Sequence, residues 1–168
     1  LGECNVTNLW LRGLTDLSAG AAKGLASIKG RTLGPTLRLD SLRSLSPEAA
    51  EALAASNITS LELTGLETLS AETARALARS KAFTGSLPGL TELSADAAAA
   101  LGTFAGKKAG GDNPNTLNLF GLTTLSPEAA RGLAAFKGKL ELDGLAEISA
   151  DTAAALAQYA GPRLSLKG

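Results

Sequence analysis

A chain of 168 residues with 16 basic and 16 acidic side chains and no histidine lacks the basic field that a sequence-independent nucleic-acid or anionic-membrane binder needs. Its single cysteine, Cys4, excludes an internal disulfide framework, and without histidine there is neither a Cys/His nucleophile pair nor a Cys/His metal cluster to build. No apolar run approaches the roughly 20 residues of a membrane span, and a chain without methionine even at position 1 is expected to be processed, or a segment of something longer.

The first recognisable element is Leu9-Trp10-Leu11, an alternation of period two that predicts a short strand. It is followed by a turn through Gly13 and Leu14, then by Ser18 ahead of an alanine-rich run. The same sentence recurs along the chain, most fully at Leu37 to Ala54 and from Leu61, Leu117 and Leu140, and more loosely from Gly85. The second leucine of each strand marks the unit: Leu11, Leu39, Leu63, Leu87, Leu119, Leu142 and Leu166. Successive markers lie 28, 24, 24, 32, 23 and 24 residues apart, so the unit is about 24 residues with two insertions. Repetition at a fixed period predicts one repeat domain over residues 1–168, with about six and a half units stacked on their neighbours.

Within each unit the turn glycine, Gly65 for example, is expected to take a backbone conformation that a side chain forbids. Ser18, Ser46, Ser70, Ser94, Ser126 and Ser149 are predicted helix N-caps, with hydroxyls that accept from the free amides of the first turn. Pro47 and Pro127 suit the first helical position, and Glu48, Glu72, Asp96, Glu128 and Asp151 face the positive end of the helix dipole. Ala50, Leu53 and Ala54, with their equivalents, form a narrow apolar stripe. Gly30, Gly106, Gly138 and Gly161 are expected just past the helix ends. The two insertions, one around Gly30, Gly34 and Pro35 and one over 106–115, carry loop chemistry on the margin where helix returns to strand, and are read first as tolerated insertions. Asp112, Asn113 and Asn115 lack the glutamate of a calcium loop, and Gly106 to Gly111 lacks the order of a phosphate loop.

Leu-x-Leu strands, leucine-bearing turns and capped helices at this period resemble leucine-rich repeats over residues 6 to 167. The family's ladder asparagine is replaced by Leu14, Leu42, Leu66, Leu90, Leu122 and Leu145, and the Leu-Ser-Pro-Glu-Ala-Ala wording is similar to divergent bacterial versions. The resemblance implies an α/β class chain, a right-handed curved solenoid with parallel strands on the concave face and short helices on the convex one. Its implied role is protein binding. Packing geometry gives curvature independently, because strands stack about 4.8 Å apart whereas helices approach no closer than about 8 Å.

With the leucines turned inward, one outward column reads Trp10, Arg38, Glu62, Ser86, Asn118, Glu141, Ser165 and the next Arg12, Asp40, Thr64, Pro88, Phe120, Asp143, Lys167. Adjacent rungs pair Arg12 with Asp40, Arg38 with Glu62 and Asp143 with Lys167, the self-neutralising pattern of a solvated sheet face. Trp10, Arg38, Pro88 and Phe120 are the candidate partner-binding residues, since exposed aromatics and arginine anchor interfaces. Trp10 has a second reading as a cap on the first repeat with Leu1 and Val6. The residues imply no catalytic, metal or cofactor group, so the leading reading is a non-catalytic interaction module with a protein partner. A structural spacer within a longer bacterial array, open to end-to-end self-association through the strand at Leu164 to Leu166, is the alternative. An enzyme is the reading the residues support least.

Overall fold

The structure, a computed structural model, describes residues 8–28, 35–106 and 115–167. Leu1, Cys4, Val6, Gly30, Gly34 and the 107–114 part of the second insertion lie outside the described residues. Among those described, six helices and two small parallel three-stranded sheets make a mixed α/β chain with no closed barrel. No helix among them is long and apolar enough to cross a membrane.

The six serines start the six helices, as expected. Each stands in extended backbone, and its hydroxyl accepts from the amide three residues on, at 3.1 to 3.3 Å. The helices are α1 (Ala19–Ala26), α2 (Pro47–Ala54), α3 (Ala71–Arg79), α4 (Ala95–Gly102), α5 (Pro127–Ala134) and α6 (Ala150–Leu156). Pro47 and Pro127 take the first helical position. At the far end the expectation of glycine fails. The helices stop at Ser27, Ala55, Ser80, Thr103, Ala135 and Ala157. Ser27 and Thr103 bond back through their hydroxyls to Gly24 and Ala100 carbonyls at 2.7 Å, which satisfies the last turn without a left-handed residue.

In the first turns Glu72 and Glu128 are held below the ordinary carboxylate value. The largest cause for each is the backbone N–H of its own residue, with Arg75 and Arg131 respectively adding to it. A lowered folded-state pKa contributes stability that is present above the ordinary value and lost as pH falls through the folded value. The expected result is that Glu72→Gln lowers the melting temperature slightly at pH 7 and by less at pH 3. An equal loss at both pH values would remove this carboxylate from the acid dependence.

The strands are three residues long and centred on the first leucine of each Leu-x-Leu. They are β1 (Asn8–Trp10), β2 (Thr36–Arg38), β3 (Ser60–Glu62), β4 (Thr116–Asn118), β5 (Lys139–Glu141) and β6 (Arg163–Ser165). They pair in sequence order, β1-β2-β3 and β4-β5-β6, with leucine opposite leucine throughout: Leu9, Leu37 and Leu61, then Leu117, Leu140 and Leu164. The second leucines follow the strands and extend the ladder, with Leu39 N–H donating to Glu62 O at 3.0 Å and Leu119 N–H to Glu141 O at 2.9 Å. Leu37, Leu39, Leu61, Leu63, Leu117, Leu119, Leu140 and Leu142 are buried, and consecutive helices from α1 to α6 pack against one another behind them.

The strand expected around Leu87 does not form. Gly85 holds the place of the first leucine, and its φ of +80° lies in the left-handed region, which breaks the extended strand, although its carbonyl still accepts from Asn118 N–H at 2.8 Å. Leu61 bridges to Phe83 instead, and Ser86 to Asn118, each as an isolated parallel bridge between the two sheets. The leucine volume missing at Gly85 is filled from behind. Phe83, Phe104 and Phe136 are buried, with ring centroids 5.2 Å apart for the first pair and 6.2 Å for the second. The Phe104 ring lies 2.8 Å from where a Gly85 side chain would begin. Tyr159 continues the series on the last unit, with its hydroxyl donating to Arg163 O at 3.0 Å and contacting Gly138 O; burial pushes its phenol pKa up.

The turn glycines do not have positive φ; among the described residues only Gly85 and Gly106 do. They are small because the preceding repeat is close. A side chain on Gly65, Gly121 or Gly144 would run into the carbonyl oxygen of Asp40, Pro88 or Phe120. In the second repeat Ser41 takes the glycine's place, and its hydroxyl donates to Arg12 O across the same gap. Each turn is closed by a leucine amide, for example Leu42 to Leu39 O at 3.3 Å and Leu122 to Leu119 O at 3.1 Å. Buried threonines at the third helical position add cross-repeat bonds, Thr73 to Leu45 O at 2.9 Å and Thr152 to Leu125 O at 3.1 Å. These contacts tie the units together.

Candidate functional site

The outward columns read from the sequence are exposed or half-buried from Trp10 to Asp143, whereas on the last rung Ser165 is buried and Leu166 exposed. Trp10 is 51% exposed and Phe120 48%, which makes them the two most exposed large apolar side chains among the described residues. The four candidate residues form two pairs. Trp10 lies with its ring 5.6 Å from the Arg38 guanidinium, on the register neighbour of its own strand. Pro88 and Phe120 stand on consecutive rungs, joined by the Ser86–Asn118 bridge and the Leu87 N–H to Asn118 O bond at 2.9 Å. Four rungs at about 4.8 Å separate the rung of Trp10 from that of Phe120, roughly 19 Å.

Arg12 is the residue that sequence reasoning placed differently. It was expected beside Asp40, but its guanidinium sits 5.0 Å from the Trp10 ring centroid, so the indole is flanked by two arginines. Asp40 is taken instead by Arg38, at 3.6 Å, and by the Thr64 hydroxyl at 3.0 Å. Arg38 reaches Glu62 at 2.9 Å as expected, in a charge contact where the Nε–H is not aimed for a hydrogen bond. Lys167 reaches Asp143 at 3.6 Å. The alternation that put Trp10 and Arg12 on one face, two residues apart, was the signal for their contact.

Backbone packing presents both aromatics. Phe120 N–H donates to Asn118 Oδ1 at 3.2 Å, and the Phe120 carbonyl forms the floor on which Gly144 rests, so the ring is left to project outward. The Pro88 carbonyl plays the same part under Gly121. Beneath Trp10, Leu9 packs on the core and the Leu11 amide donates to Arg38 O at 3.1 Å. Between the two pairs lie the partly exposed carboxylates Asp40 and Glu62, both within ion-pair reach of Arg38, followed by the uncharged Thr64, Ser86 and Asn118. A groove of about 700 Å³ lies elsewhere, on the helix-to-strand margin, lined by Ile58, Ala78, Ala105, Arg79 and Lys81 among others.

Compared with models of known protein families and with curated proteins, the chain matches none.

Proposed function

We propose that the chain is a non-catalytic protein-interaction module of the leucine-rich-repeat kind, a right-handed curved α/β solenoid that contacts its partner through the concave strand face. The observation that carries this reading is the exposure of Trp10 and Phe120 on a sheet face where neighbouring outward side chains are polar or charged. Large exposed apolar residues set among polar ones mark contact surfaces, and tryptophan with arginine is the combination that dominates interface energies. In-register parallel pairing within each sheet, and helices that pack in sequence from α1 to α6, support the solenoid as the scaffold. Arg38 and Pro88 flank the two anchors, and Arg12 joins them.

The test uses a partner isolated on the intact chain and measures its affinity for Trp10→Ala and Phe120→Ala. Each substitution is expected to weaken binding roughly tenfold or more, with the fold unchanged, because both side chains project into solvent. If both variants bind as the parent does, the strand face is not the contact surface.

A further inference from the structure

The balanced net charge conceals a segregation of charge. Parallel strands place every helix-to-strand connection on one margin of the molecule and every strand-to-helix turn on the other. Among the described residues, the first margin carries Arg79, Lys81, Lys137, Lys139 and Arg163 and no carboxylate in its connections. None of these five cations is in an ion pair with another described residue. The opposite margin carries Asp16, Glu48, Glu92, Asp96, Glu147 and Asp151, all exposed and likewise outside the ion pairs. Of its cations, Arg43 is already held by Glu67 at 3.1 Å and Arg12 is drawn to the Trp10 ring, 5.0 Å from its centroid. Helix dipoles offset part of this, about half a charge at each helix end. Lys81, Lys137, Glu92 and Glu147 lie outside the helices, however, and the two margins keep opposite signs.

We infer that the two margins are complementary surfaces, through which copies of this chain associate side by side. The occupant of the basic margin is the acidic margin of a second copy. Two features favour it over an unrelated polyanion. Both margins belong to the same chain, so their charges match at every concentration of one component. Both also inherit the spacing of the same ladder, because each unit contributes one turn to one margin and one connection to the other. A translation along the strand direction therefore lays connection against turn, unit by unit, without a change of curvature. The contact uses different patches on the two copies, so it is heterologous and adds further copies in the same direction. It leaves the Trp10 and Phe120 face uncovered, and it stands independently of the function proposed for that face.

The experiment is sedimentation of the intact chain over a range of concentrations at low salt and at about 1 M salt, where the screening length falls to roughly 3 Å. The low-salt mass is expected to rise with concentration, about twofold or more, and to return to the monomer at high salt. Lys81→Glu with Lys137→Glu, and separately Glu92→Lys with Glu147→Lys, remove most of the side-chain charge of one margin each at exposed positions outside the helices. Each double variant alone is expected to stay monomeric, and an equimolar mixture to associate as one-to-one pairs through the two unaltered margins, the acidic one of the first variant and the basic one of the second. A parent chain that remains monomeric in low salt at every concentration overturns the inference, even if its basic margin retains polyglutamate. Double variants that self-associate as strongly as the parent overturn it equally.

Discussion

Gly144→Ala is expected to lower stability by about 3 kcal/mol, a drop of roughly 6 to 12 °C in melting temperature for a chain of this size, whereas Gly13→Ala has almost no effect. The two glycines hold the same place in their units. A methyl group on Gly144 meets the Phe120 carbonyl oxygen well inside contact distance, and the obstacle is backbone, which has no rotamer to turn away. Around Gly13 nothing lies within 4 Å. Thermal melts of the two variants measure the difference directly. Equal losses would mean that conformational freedom, common to both sites, is what the glycine supplies. Gly144→Ala is also expected to disturb Phe120, whose carbonyl forms the contact, so its effect on partner binding should exceed that of Gly65→Ala.

The second large effect runs against the repeat pattern itself. Leucine fills the first strand position at Leu9, Leu37, Leu61, Leu117, Leu140 and Leu164, and averaging over units would write leucine at 85. Gly85→Leu is nonetheless expected to destabilise the chain by about 4 kcal/mol or more. A leucine there takes on the left-handed conformation at φ +80°, and its first side-chain carbon meets the Thr116 carbonyl and lies 2.8 Å from the Phe104 ring. Chemical denaturation decides the matter, and a gain in stability would show that the fourth rung is merely a degraded copy of its neighbours. Phe104→Ala combined with Gly85→Leu gives the finer test, because removing the ring relieves one clash and leaves the other two penalties in place.

Much of the fold was legible because it rests on local rules. A serine before an alanine run caps a helix whatever surrounds it, and all six serines do so. The pairing of leucine with leucine followed from the period. The contacts between units were less legible, because they depend on how closely backbones approach. Glycine at 65, 121 and 144 was read as freedom when it is proximity, and the buried column of Phe83, Phe104 and Phe136 was hidden by connections of unequal length before each strand. On the strand face the residues were placed correctly in their columns, but partners were not always as expected. Arg38 found Glu62, whereas Arg12 turned to the indole and left Asp40 to Arg38 and Thr64. Register says which side chains are neighbours, and the choice between an aromatic face and a carboxylate is made by side-chain geometry that no spacing encodes.

The interrupted rung also limits how such an array can grow. Within either trio of strands a unit meets neighbours of its own wording, so a duplicated unit inserted there finds the surfaces it was cut from. The fourth unit does not share this interchangeability: Gly85 is shaped to the Phe104 ring of the following helix end and to the Thr116 carbonyl of the next strand. Lengthening by duplication therefore has room on either side of this junction, while the junction itself has to be inherited whole.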